Sequence, residues 1–218
     1  MPSVLLDPTL TATYTVLAAA LALAPGPDTM FVLATGMRYK AKGAIASTLG
    51  IGAGSLLHAL LAAAGVSAVI AASPVAFEVM KIAGALYLAW LGVQAIRAFF
   101  KNSGAAKPGA TIEDASLGRL FLRGFLTNVL NPKVIVFYLA LLPQFTRVEL
   151  GHVGLQIFLL GCIHNVIGQT FLIAVGVAAG KAAGWLAKTN FGRWLDGIAG
   201  VFFLGLAARL ALTGRAQG

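Results

Sequence analysis

Six stretches of this chain are each long and apolar enough to cross a lipid bilayer, and no other feature constrains its fold so strongly. The hydrocarbon core of a bilayer is about 30 Å thick and takes about 20 helical residues to span. The first stretch runs from about Leu10 to Met37 with Asp28 as its one formal charge, and the second from Gly43 to Ala72 with none. The third covers about Pro74 to Phe100, the fourth Arg119 to Leu142, the fifth Gly151 to Gly180 and the sixth Trp194 to Leu212.

Composition excludes the alternatives. Of the 218 residues, 59% are hydrophobic and 11% charged, whereas a soluble domain carries about 25% charged residues. A soluble core of this size cannot hide so much apolar surface, but lipid accepts it on every outward face. One cysteine, Cys162, permits no intrachain disulfide, cysteine metal cluster or dithiol relay. The net charge of +9 reads as membrane topology rather than nucleic-acid binding. The apolar N-terminal segment ends in Leu21-Ala22-Leu23-Ala24, which looks like a cleavage site. It has no basic residue before it, however, so it is expected to be retained as a span rather than removed as a signal peptide.

The expected fold is all-α: a polytopic integral membrane protein, six transmembrane helices in one transporter domain over residues 1–218. The stretch 101–118, rich in Gly, Ala, Lys and Pro, reads as a linker between a repeat at about 10–100 and another at about 119–212. Arg38, Lys40, Lys42, Arg97, Lys101, Lys107, Arg119, Arg123, Lys181, Lys188 and Arg193 fall on one side, and Lys81, Arg147, Arg209 and Arg215 on the other. This bias places the former in the cytoplasm and both termini outside; a re-entrant first segment would instead put the N-terminus inside. Ile82-Ala83-Gly84 recurs as Ile198-Ala199-Gly200, and Pro27-Asp28 corresponds to Pro132-Lys133 at a similar offset. Repeats of three spans must be inverted relative to each other, and matched interrupted helices in inverted repeats point to a secondary transporter's central site.

Two of the spans, one and four, carry helix breaks. In Pro25-Gly26-Pro27-Asp28 two amide donors are missing and Gly26 permits conformations closed to other residues. With the core starting near Val16, the break lies roughly 15 Å deep, at about the midplane, where unwound backbone is tolerated only against protein or a wet cavity. Asp28 can cap the following half-helix, or face substrate or carry a proton, as ionisable groups at this depth usually do. Asn128-Val129-Leu130-Asn131-Pro132-Lys133 is the counterpart. Asn131 can cap the next half-helix, and Lys133 is too far from either interface to snorkel, so Asp28 is its natural partner. His58, Thr29, His164, Asn165 and Gln169 are candidate cavity-lining residues, although interhelical hydrogen bonds explain such side chains equally well. The Gly50/Gly54 and Gly176/Gly180/Gly184 spacings allow close helix approach. Gly180-Lys181-Ala182 lacks the spacing and the Ser or Thr of a phosphate loop.

At the two breaks the chain resembles the LysE/RhtB family of amino-acid exporters. The resemblance rests on Pro25-Gly26-Pro27-Asp28 and on Gly124-Phe125-Leu126-Thr127-Asn128-Val129-Leu130-Asn131-Pro132-Lys133, continuing through Phe137-Tyr138 to Leu142-Pro143-Gln144-Phe145. It implies ion-gradient-driven export of amino acids or close derivatives such as homoserine, threonine or lysine across the bacterial inner membrane, and it adds Gln144 to the candidate pathway of Asp28, Asn128, Asn131 and Lys133. The reading is thus a proton-coupled exporter with no cofactor, no metal and no enzymatic activity. Its partners are an amino-acid substrate and the lipid bilayer, with a homodimer left open. An integral-membrane redox enzyme, which one cysteine disfavours, and a passive channel are the alternatives.

Overall fold

The computed structural model describes residues 5–24, 26–100, 115–186 and 191–212. Pro25 and residues 101–114, which include most of the expected linker, lie outside that set, as does Lys188. Among the described residues every regular element is helical: α1 (Pro8–Leu23), α2 (Pro27–Ala72), α3 (Pro74–Phe100), α4 (Leu117–Val129), α5 (Pro132–Val136), α6 (Val153–Leu186) and α7 (Phe191–Leu212).

Local chemistry sets the boundaries. α1 starts at Asp7, whose Oδ1 accepts from Leu10 N at 2.8 Å, with Pro8 in the first turn where no amide partner is needed. That backbone bond, helped by the Arg147 guanidinium 2.8 Å from Oδ2, holds the Asp7 carboxyl below its ordinary range. Ala24 ends the helix in an extended conformation (φ −69°, ψ 118°), as a residue before proline must. Pro27 opens α2.

α2 is not a straight rod. Lys40 has φ 56° and ψ −152°, outside the helical region, and the chain doubles back there. A Cβ placed on Gly43 would lie 3.0 Å from the carbonyl oxygen of Thr35, eight residues earlier, and continuous helix would separate the two by about 12 Å. A Cβ on Gly176 would meet Val32 and Ala44, one from each arm, both at 2.6 Å. The turn therefore separates the arms 27–39 and 41–72, where the polar run Arg38–Lys42 lies in the sequence. Tyr39 Oη accepts from Ala115 N at 3.0 Å and ties the turn to the approach to α4.

Among the described residues, three helical segments are able by length and composition to cross a membrane, Pro27–Gly65 (which contains the turn at Lys40), Lys81–Phe100 and Val153–Lys181, and the pair Leu117–Val129 and Pro132–Phe145, bent by 51°, makes a fourth. Pro8–Leu23 and Gly197–Leu212 are shorter apolar helices. This is a coarser result than the six spans expected from the sequence. α2 packs against α4 and α6, and α3 against α7. Glycines make these crossings close: a Cβ on Gly50 would collide with the Phe121 carbonyl, and one on Gly124 with that of Ser47. Large apolar side chains such as Val16, Leu86 and Leu212 point outward and are 72%, 68% and 83% exposed, a distribution that suits lipid rather than water. The core gathers Tyr14, Phe137, Tyr138 and Phe145, and Tyr14 Oη donates to Leu160 O at 3.0 Å.

Candidate functional site

The two helix breaks lie against each other, and each is completed by a residue from the other. α1 ends with carbonyls that have no helical partner. Lys133, the second residue of α5, reaches them: its Nζ donates to Ala24 O at 2.8 Å and to Leu21 O at 3.4 Å. Conversely, Asn128 in the last turn of α4 donates from Nδ2 to Oδ2 of Asp28, at the start of α2, at 2.8 Å. Asn131 caps α5 as expected, its Oδ1 accepting from Lys133 N at 3.1 Å.

Two expectations are corrected. Asp28 is the second residue of α2 rather than its cap, because the helix begins at Pro27, and its carboxylate turns to Asn128 instead of its own backbone. No direct ion pair joins Asp28 and Lys133 among the described residues; the ammonium is drawn to the open end of α1, where carbonyls at the negative pole of the helix supply acceptors.

Between these groups lies a cavity of about 60 Å³, space for a few waters. Asp28, Thr29, Asn128, Lys133, His164, Asn165 and Gln169 line it, drawn from α2, α4, α5 and α6. The apolar part of the wall is Leu21, Ala22, Ile51, Val134, Phe137 and Leu172. Gly52 makes room for Gln169, since a Cβ there would come within 2.5 Å of its amide carbon. The break residues Gly26, Pro27 and Pro132 set the backbone course without lining the space, and Pro25 is outside the described residues.

His58, Asn131 and Gln144 stand off the cavity. His58 Nε2 lies 3.3 Å from Asn128 O and its ring stacks on Tyr138 at 5.8 Å, so it braces the end of α4. Gln144 Nε2 donates to Ala140 O at 2.9 Å. Its setting explains this: after α5 the chain widens into a π turn at Phe137–Leu141 and tightens into a 3₁₀ turn at Leu142–Phe145, which frees carbonyls that a side-chain amide can satisfy.

Sequence reasoning missed Ser55, which lines the cavity and pairs with Tyr138 Oη at 2.8 Å. The signal was present: Ser55 lies one helical turn before His58, so the two share a face of an otherwise uncharged span.

Among the described residues, three lining side chains carry a buried polar atom without a protein hydrogen-bond partner: Asp28 Oδ1, Asn128 Oδ1 and His164 Nδ1. Unsatisfied groups of this kind are uncommon and call for a cause. Together the site offers a carboxylate, an ammonium, amides and an imidazole around a small space under a partly apolar roof. That set suits a small molecule carrying both signs of charge, and the transfer of a proton.

Comparison with known proteins identifies the family. The family described as LysE type translocator matches residues 19–214. A leucine efflux protein of Salmonella typhimurium (strain LT2) is 33% identical over 202 residues, covering 91% of this chain and 93% of the relative. A homoserine/homoserine lactone efflux protein of the same organism is 32% identical over 198 residues, covering 91% and 94%. A leucine efflux protein of Enterobacter sp. (strain 638) is 34% identical over 207 residues, covering 91% and 93%. No solved structure is significantly similar. With matches that run nearly end to end, the chain belongs to the LysE type translocator family, and it is a multi-pass membrane transporter rather than an enzyme.

Proposed function

We propose that the protein is a secondary active exporter of amino acids in the bacterial inner membrane, driven by proton antiport, and that the cavity between the two helix breaks is its substrate site. The observation that carries this reading is the placing of Asp28 and Lys133 on one small cavity, each held by the opposite broken helix. A zwitterion needs one group of each sign. An ammonium has three donors; Lys133 spends two on Leu21 O and Ala24 O, which leaves one for a substrate carboxylate. The first amides of α2 add donors and a favourable dipole. Asp28 meets the substrate ammonium, or a proton in its place, and that exchange couples the two. Lining by Leu21, Ile51, Val134 and Phe137 suits an aliphatic side chain, in keeping with relatives named for leucine efflux.

Six crossings in two inverted repeats accompany the reading. α1 with the first arm of α2, the second arm, and α3 form one set; α4 with α5, α6, and α7 form the other. The reciprocal bracing supports it, since each break receives its partner from the equivalent position of the other set.

Proteoliposomes loaded with each of the twenty amino acids in turn test the proposal under an imposed pH gradient. Saturable efflux that is stopped by a protonophore is expected. Flux that neither saturates nor depends on the gradient would replace the exporter with a channel.

A further inference from the structure

α1 is held differently from its neighbours. The crossings of α2 with α4 and α6 are glycine-tight, backbone against backbone, whereas α1 contains no glycine and is fastened by side chains at three levels. At its far end the Asp7 carboxylate meets the Arg147 guanidinium, Oδ2 to Nε, at 2.8 Å. At mid-length the fully buried Tyr14 donates to Leu160 O at 3.0 Å. At the cavity end Lys133 holds Leu21 O and Ala24 O. At 1.5 Å per residue, Tyr14 lies about 10 Å and Asp7 about 21 Å from Leu21 along the helix.

The same levels recur on the facing elements. Phe137 lines the cavity, and its ring lies 6.2 Å from that of Tyr14. Tyr14 in turn meets Phe145 at 5.3 Å, and the Arg209 guanidinium lies 5.1 Å over the Phe145 ring. Arg147 follows two residues later. α6 runs alongside, with His164 at the cavity, Leu160 level with Tyr14, and Gln156 about 12 Å from His164 along the axis. From the cavity to the face that bears Arg147, the way is closed first by an aromatic layer and then by an ion pair.

The two ends of that pair are not equally fixed. Gln156, 1% exposed, accepts from Arg147 N at 2.9 Å and donates to Arg147 O at 2.8 Å and Gly151 O at 2.7 Å. One buried amide thus ties the Arg147 segment to α6. Asp7 stands on a short helix that ends at Leu23 and is not continuous with α2, which begins at Pro27. The side chains of Arg147 and Asp7 are 52% and 20% exposed, and a pair so open to water shifts a two-state equilibrium about fivefold at most. Such a bond biases a closed state and still breaks in every cycle.

We propose that α1 is the outward gate of the export path and that Asp7 and Arg147 are its latch. The Arg147 post stays with α6 while α1 swings from it, which takes Tyr14 off Phe137 and Phe145 and joins the cavity to the face that the bias of Lys and Arg assigns to the periplasm. The inference rests on the exporter reading and supplies the way out of its site.

The test reads opening without transport. Cys162→Ser removes the native thiol, and Ala22→Cys places one on the cavity wall at the inner end of α1. Right-side-out membrane vesicles are treated from outside with a trimethylammonium methanethiosulfonate, whose fixed charge keeps it out of lipid. In this background Asp7→Asn, which keeps the cap on α1, and Arg147→Gln are each expected to raise the labelling rate about two- to fivefold. The double variant should be no faster than the faster single, because both changes remove the same bond. Unchanged rates, rates that multiply in the double variant, or a rise only in step with a lowered melting temperature overturn the latch. Asp7→Cys with Arg147→Cys, in the Cys162→Ser chain and bridged by a cleavable bis-thiol reagent of about the length of an arginine side chain, should export amino acid at least about tenfold more slowly until the bridge is cleaved. Undiminished export across the bridge overturns the gate. A wild type that exports no amino acid overturns the exporter reading, while faster labelling in the latch variants would still support the gate.

Discussion

The ammonium of Lys133 lies 2.8 Å from the carbonyl oxygen of Ala24, so that the residue just after one helix break closes the end of the helix before the other. The contact is structural as well as chemical. Lys133→Met retains much of the stem but removes the donors, leaving the Leu21 and Ala24 carbonyls to find other partners. A buried acceptor left unpaired costs about 1–3 kcal/mol. We expect thermal denaturation of the variant in detergent to show a stability loss of that order together with loss of export. Export at the wild-type rate would show that the carbonyls find water instead.

Gly50 tests the packing that holds the site. A Cβ there would run into the backbone carbonyl of Phe121, and backbone, unlike a flexible side chain, cannot rotate away. Gly50→Ala is therefore expected to separate α2 from α4 and to cost about 1–3 kcal/mol, as overpacking does. Gly65, with no neighbour within 4 Å of such a Cβ, is the control, and Gly65→Ala should leave the melting temperature almost unchanged. Equal melting temperatures in the two variants would refute the close crossing.

Membrane topology can be checked without transport. The bias of Lys and Arg predicts that reporters fused after Lys40, Lys107 and Lys188 lie in the cytoplasm, while reporters at Arg147 and after Arg215 lie in the periplasm. The reversal at Lys40 agrees with a turn at a membrane face. A cytoplasmic reporter after Arg215 would overturn this topology and, with the N-terminus outside, would rule out an even number of crossings.

What the sequence made legible follows from how local the cause is. Proline lacks a donor wherever it stands, so the interruptions at Pro27 and Pro132 could be read directly. Asn131 as a cap is equally local. Partner choice is not local: charge alone suggested Lys133 with Asp28, but only the folded chain brings the open end of α1 within reach of Lys133 and Asn128 within reach of Asp28. Gln144 entered as a pathway candidate through family resemblance, and the structure shows it bonding a carbonyl four residues back. The doubling back at Lys40 falls in the basic interval expected between the first two stretches, although no Gly or Pro marks the residue itself.

Pro27→Ala and Pro132→Ala address the breaks themselves. Restoring an amide donor allows more continuous helix, which strengthens local hydrogen bonding but withdraws the backbone groups around which the cavity is built. Export is expected to fall several-fold or more while thermal stability holds or rises slightly. Asn131 still caps α5, so the effect of Pro132→Ala should be the smaller. Wild-type export in both variants would reduce the breaks to tolerated kinks.

Asp28→Asn separates the roles left to this carboxylate. Its geometry removes one of them, since Asp28 stands inside the first turn of α2 and does not cap it. Folding should survive the change: an Asn oxygen still accepts from Asn128, and the lost complement to the helix dipole is worth about 0.3–1 kcal/mol. If the carboxylate binds the substrate ammonium, the variant loses a charge-assisted bond and its affinity falls about tenfold or more, in exchange and in uphill export alike. If it carries the coupled proton, the outcome splits. Asn cannot titrate, so substrate exchange down its own gradient persists while uphill export driven by a pH gradient disappears. Both modes are measurable in the same proteoliposomes, and we expect uphill export to vanish with exchange retained at reduced affinity, because one carboxylate serves the ammonium and the proton in turn. Near-normal uphill export by Asp28→Asn would show that neither coupling nor ammonium binding depends on Asp28, and would leave it with the single task of holding Asn128.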